Sequence, residues 1–139
     1  MILKLPLSVT LPRKTKADKV FMLNMNVYRN AHHMILNQSK IMWEGIVRAA
    51  IVEKNGYFNI LSFCEPPFKF VYTVHKGDNR AYDVANICSI IDKFTCDALI
   101  ELGIIKDDNH KILHQVEYRT GSKDKENPHC ELEITHMEV

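Results

Sequence analysis

Asp83, Asn86, Lys93 and the adjacent pair Asp107-Asp108 fall within one short stretch of this chain. Adjacent aspartates repel each other, and a turn needs only one of them. A cation answers that repulsion, because hard divalent ions such as Mg²⁺ are held by one or two carboxylates, with water and phosphate oxygens completing the shell. Ions held in this way activate water and stabilise a leaving oxygen in phosphodiester hydrolysis. A lysine close by neutralises charge that builds in the transition state. Each residue also has an ordinary role. Asp83 can cap a helix, worth about 1 kcal/mol, and Lys93 with Asp97 can form an exposed i,i+4 pair of about 0.3–0.5 kcal/mol. Asp107, Asp108 and Asn109 are all turn formers.

The element that must position these groups is a helix. Ile87, Ile90, Ile91, Phe94, Ala98 and Leu102 fall within an arc of about 120° at helical spacing, and Gly103 ends the pattern. Asn86, Ser89, Lys93 and Asp97 share a second stripe beside that apolar face, at spacings that bring side chains together. Asp83 stands at the start of the helix, and Asp107 and Asp108 lie in a turn beyond its end. Asp92 lies about 100° around the helix from Lys93.

Upstream, residues 2–11 alternate as a first strand, and Arg13, Lys14, Lys16 and Lys19 follow in a basic surface loop. Residues 37–54 have helical spacing, with Asn37 or Ser39 as N-cap and Gly56 as a stop signal. Residues 57–74 end in a strand in which Phe68, Phe70 and Tyr72 alternate with polar or smaller residues up to His75, and residues 76–80 form a polar turn. Strands are expected over 111–118 and 131–135, with a charged loop over 121–128. The order strand, helix, strand, helix, strand, strand predicts an α+β fold. It should be a single domain over 1–139, with a small mixed or antiparallel sheet carrying two main helices on one face.

With 139 residues, 46% hydrophobic, 25% charged and a net charge of +1, the chain is not a polycation, so a nucleic-acid partner must be met by local charge. Lys76 and Arg80, just before Asp83, are the best-placed cations. Lys14 and Lys16 in the first loop are others, and Tyr28, Arg29, His32 and His33 form an aromatic–basic patch suited to phosphates or an unstacked base. His110 and His114 are expected on a strand, where that spacing keeps them apart, as ordinary polar histidines. No apolar run reaches the roughly 20 residues of a membrane span, and the first residues lack a signal-peptide layout, so the expected location is the cytoplasm. The cysteines Cys64, Cys88, Cys96 and Cys130 include no CxxC pair and read as small buried hydrophobes rather than a zinc site.

The segment Asp83-Val84-Ala85-Asn86, then Lys93-Phe94-Thr95-Cys96-Asp97-Ala98-Leu99, Gly103 and Asp107-Asp108 resembles the RusA-like Holliday-junction resolvases in motif order and approximate spacing. The likeness is best over residues 80–113. A weaker one covers Pro12, Leu23-Asn24, Tyr28-Arg29 and the strand at Leu132-Glu133-Ile134. The chain departs from that pattern in two ways. Ala85 stands where a second aspartate is expected, and about one helical turn is added between Asn86 and Lys93. Anchoring on Lys93 instead puts the missing carboxylate at Ser89, with Asp92 as a replacement. The resemblance implies a homodimeric, Mg²⁺-dependent endodeoxyribonuclease of phage or prophage type that cuts branched DNA, with Mn²⁺ as a substitute ion. In it, Asp83 and Asp108 would be metal ligands, Asp107 a supporting acid, Lys93 a catalytic or phosphate-contacting base, and Asn86 would orient a ligand or water. The departure at Ala85 implies an alternative, a catalytically weakened protein of the same fold that binds structured DNA.

Overall fold

Pro6 has no N–H to give to a strand ladder, and it interrupts the alternation of the first residues. The computed structural model, which describes residues 1–55 and 65–138, divides the expected single strand into β1 (Ile2–Leu5) and β2 (Ser8–Leu11). The basic loop then turns the chain back into β3 (Lys19–Met22), which pairs antiparallel with β2. Lys19 is therefore a strand residue. The short helix α1 (Met25–Asn30) follows, started by Asn24, whose Oδ1 accepts the Val27 N–H at 2.9 Å. Neither β3 nor α1 was expected.

Helix α2 (His33–Asn55) begins ahead of the expected start. Asn37 and Ser39 are consequently inside it rather than caps. Ser39 is buried, and its hydroxyl donates back to the Ile35 carbonyl at 2.7 Å. Gly56, Cys64 and the part of the expected extended segment before Glu65 lie outside the described residues. The remaining elements are β4 (Phe68–His75), α3 (Val84–Glu101), β5 (Leu113–Thr120) and β6 (His129–His136), close to expectation.

The main sheet has four strands in the order β1-β6-β4-β5. β6 pairs antiparallel with β1 and β4, whereas β4 and β5 are parallel. Parallel neighbours need a long crossover, and α3 supplies it. The sheet is mixed and the fold is α+β. Alternation along β4 sends Phe68, Phe70, Tyr72 and Val74 into the core, with Cys130, Leu132 and Ile134 of β6 beside them. α2 and α3 cover this face with Trp43, Val47, Ile51, Ile90, Ile91 and Phe94. The buried Trp43 Nε1–H donates to Thr95 Oγ1 at 3.0 Å, tying the two helices together. Cys88, Cys96 and Cys130 are buried free thiols, as expected. No helix among the described residues is long and apolar enough to cross a membrane.

Candidate functional site

Asp92 lies midway along α3, on the border between its buried face and its polar stripe. Two neighbouring strands reach it. Tyr72 of β4 and Tyr118 of β5 are register partners, with ring centroids 6.0 Å apart and planes at 68°. The Tyr72 hydroxyl donates to Asp92 Oδ1 at 3.0 Å, and the Tyr118 hydroxyl donates to Oδ2 at 2.8 Å. The Cys96 thiol, one helical turn on, donates to Oδ1 at 3.3 Å. Burial first, then the negative charges beside them, push both phenols and this thiol well above their ordinary pKa ranges. All three therefore keep their protons and remain donors. They hold one half-buried carboxylate in a fixed orientation, with a lone pair left over on Oδ2.

That carboxylate opens into a cleft of about 330 Å³ lined by Ser89, Asp92, Lys93, Cys96, Asp108, Leu113 and Val116. The Ser89 hydroxyl oxygen is buried and has no hydrogen-bond partner among the described residues. A buried hydroxyl without a partner costs about 1–3 kcal/mol, a cost that a bound water or ligand oxygen removes. Lys93 is exposed at the rim and makes no ion pair among the described residues.

The paired aspartates divide their work. Asp107 builds the turn: its Oδ1 accepts the Asp108 N–H and its Oδ2 accepts from Asn109 Nδ2, both at 2.8 Å. Those bonds, the one from Asn109 first, lower its pKa. Asp108 is left to line the cleft. Its carboxyl is held above the usual aspartate range, chiefly by desolvation, with the charges of Asp107 and Asp97 adding to it. Concentrated negative charge of this kind is what a divalent cation relieves.

Asp83 is not brought to this place. It is the N-cap of α3, its Oδ1 accepting the Ala85 N–H at 3.0 Å. It stands about 13 Å from Asp92 along the helix axis at the ordinary rise per residue. Asp83 is therefore not among the residues that line the cleft with Asp108, as the expected pairing of the two requires; of the expected ligands, Asp92 lines it. Asn86 is also otherwise engaged, since its Oδ1 accepts the Met25 N–H at 3.0 Å and fastens α1 to α3. Asp97 is exposed and lines an adjoining groove with Lys40 and Glu44.

The expected DNA-contacting residues are dispersed. Lys76 and Arg80 lie in the turn after β4, at the Asp83 end of α3, with the Lys76 ammonium 5.8 Å from the centre of the Tyr82 ring. The Tyr82 hydroxyl is hydrogen-bonded to that of Thr120 at the end of β5. Arg29, Lys14 and Lys16 are exposed. Tyr28 packs edge-on against Phe94, centroids 6.3 Å apart, so it belongs to the core rim rather than a free base-stacking platform. His32 and His33 are exposed and contact each other. His110 lies in the turn before β5 and His114 on β5, both exposed.

The residues missed in the sequence are Tyr72 and Tyr118. The available signal was that a phenol placed among buried phenylalanines must find a hydrogen-bond partner for its hydroxyl. Comparison with the sequence models of protein families gives no match for this chain, and comparison with curated proteins gives none.

Proposed function

We propose that this chain is a metal-dependent endodeoxyribonuclease that cuts branched DNA by phosphodiester hydrolysis, acting in the cytoplasm as a homodimer. The observation that carries the reading is that Asp92 and Asp108 line one open cleft with Lys93 and the Ser89 hydroxyl, which has no hydrogen-bond partner among the described residues. An all-oxygen donor set of two carboxylates suits a hard divalent ion, so Asp92 and Asp108 would hold Mg²⁺, or Mn²⁺ in its place. Bound there, the ion would supply activation of water and stabilisation of the leaving oxygen.

The chain's own residues do the rest. Tyr72, Tyr118 and Cys96 fix the Asp92 carboxylate so that it need not reorganise when a phosphate arrives. Lys93 offsets charge on the phosphate, and the Ser89 hydroxyl can donate to a phosphate oxygen or to water. Asp107 sets the turn that presents Asp108. Lys76 and Arg80, at the Asp83 end of α3, would take phosphates of an adjoining arm, and Arg29, Lys14 and Lys16 would add exposed cations elsewhere on the surface.

A second reading, a weakened protein that binds branched DNA without efficient cutting, is favoured by the capping role of Asp83 and by Ala85. Incubating a four-way junction with the protein in Mg²⁺, Mn²⁺ or EDTA separates the two. Paired nicks that EDTA abolishes are expected, a mobility shift without nicks supports the second reading, and neither effect refutes both.

A further inference from the structure

On the sheet face turned away from the helices, a second group of ligand-type side chains gathers at the paired ends of β4 and β6. His75 and His129 are register partners whose rings stack, with centroids 4.7 Å apart and planes at 17°. Glu131 follows two positions along on the same face. Its Oε1 lies 4.0 Å from His75 Nε2 and 3.4 Å from His129 Nε2. The three ligating atoms that these residues can offer fall within 4.8 Å of one another.

The hydrogen positions follow from the neighbours. His75 Nδ1 faces the Ser122 carbonyl at 2.8 Å, and His129 Nδ1 faces the Asn127 carbonyl at 2.7 Å, with an Asp124 oxygen 3.7 Å away. Those oxygens only accept, so each Nδ1 carries the hydrogen, and a neutral ring then has a bare lone pair at Nε2. Both lone pairs face a carboxylate, which is also an acceptor. His75 Nε2 is buried without a hydrogen-bond partner among the described residues, and His129 is only 6% exposed. Three acceptors facing one another need a positive charge between them. A single proton on His129 Nε2 would serve its contact with Glu131 but leave His75 Nε2 without a donor, and protonating both rings would stack two cations in a largely buried place. A metal ion satisfies all three at once.

We propose that His75, His129 and Glu131 bind a transition-metal ion of the zinc class through the two Nε2 atoms and the carboxylate, with water as the fourth ligand. Two imidazoles and one carboxylate are a ligand set that zinc takes, and an Nδ1–H given to a backbone carbonyl is the usual outer support of a metal-bound histidine. Closing on one ion tilts the rings out of their stack. The loops over them are built for close approach: a Cβ on Gly121 would meet His75 Cε1 at 2.5 Å, and one on Gly77 would meet Pro128 Cγ at 2.7 Å. The ion thereby pins the loops that follow β4 and precede β6. Tyr72 and His75 point to opposite faces of the sheet, so this site is separate from the Asp92 cleft and stands whether or not the chain is a nuclease.

The test uses untagged, metal-stripped protein with excess Mg²⁺ to occupy oxygen sites. Zn²⁺ is titrated by calorimetry, and the histidine ring nitrogens are followed by NMR. One Zn²⁺ per chain is expected, with the Nε2 resonances of His75 and His129 shifting and their Nδ1 hydrogens retained. Glu131→Gln, on a partly exposed side chain that should leave the fold intact, should weaken binding by more than the roughly 10-fold that loss of an outer partner costs. Asp108→Asn should bind Zn²⁺ as the parent does. Absence of Zn²⁺ binding by the parent protein would overturn the proposal. So would binding that Glu131→Gln leaves unchanged, or two rings found as imidazolium at neutral pH with Zn²⁺ present.

Discussion

Replacing Asp92 by Asn keeps the shape of the side chain and removes its charge, which isolates the role of the carboxylate. In the parent, one oxygen accepts from Tyr72 and Cys96 and the other accepts from Tyr118. The amide retains one acceptor oxygen. It stays with Tyr72, which is fully buried, and the NH₂ then faces Tyr118, whose half-buried hydroxyl must turn to accept. A hydrogen bond to a charged group contributes about 1.5–3 kcal/mol, against about 0.5–1.5 for a neutral one. Each phenol bond therefore weakens by about 1 kcal/mol, and relief of a half-buried charge returns part of that. A net loss of about 1–2 kcal/mol follows, which for a domain of this size lowers Tm by roughly 3–8 °C. Asp92→Ala should cost more, because it leaves the Tyr72 hydroxyl with no acceptor. Tyr72→Phe should destabilise the parent more than it destabilises Asp92→Asn. Thermal unfolding without divalent ions measures these terms, and junction cutting by the same variant should be abolished. An Asp92→Asn protein with unchanged Tm and full cutting would refute both the charged Tyr72–Asp92–Tyr118 arrangement and the ligand role.

Asp108→Asn should abolish cutting while junction binding persists in a mobility-shift assay, with little change in Tm because the side chain is exposed. Proton and ion compete for Asp108, whose carboxyl in the metal-free chain is held above its ordinary range, so cutting at sub-saturating Mg²⁺ should show an acid limb that moves to lower pH as Mg²⁺ is raised. Asp97→Asn removes a like charge and should move that limb to lower pH, read from a pH–rate profile. Stability has the opposite sign: with its folded pKa raised, the Asp108 contribution is present below the unfolded pKa and lost as pH rises through the folded one. Gly121→Ala should displace the His75 ring, lower Tm, and weaken Zn²⁺ binding while leaving cutting intact.

Much of the frame could be read from periodicity. β4, α3, β5 and β6 were visible because each carries an unbroken apolar pattern, and the α+β class followed from their order. The parallel pairing of β4 with β5 was implied by the helix between them without being stated. β3 and α1 were not visible, since KVFM and MNVYRN are too short to show a period and the first sits behind a basic loop. Of the site, Lys93 and the Asp107-Asp108 turn were legible because they are close in sequence. Asp92 was recognisable only as a substitute, since the tyrosines that define it come from β4 and β5, and only folding brings them to the helix. The capping place of Asp83 could not be told from a ligand's in the sequence, because one residue type serves both capping and metal binding and nothing local separates those uses. His75 and His129 had no signal at all: they meet only through the register of β4 and β6.

The most direct test of the account is a crystal of the protein soaked with Mn²⁺ and read by anomalous scattering. The expected result is a peak in the cleft with oxygens of both Asp92 and Asp108 in its coordination shell, beside Ser89 and Lys93. A peak that involves neither carboxylate, with the cleft empty at a saturating Mn²⁺ concentration that supports cutting, would contradict it.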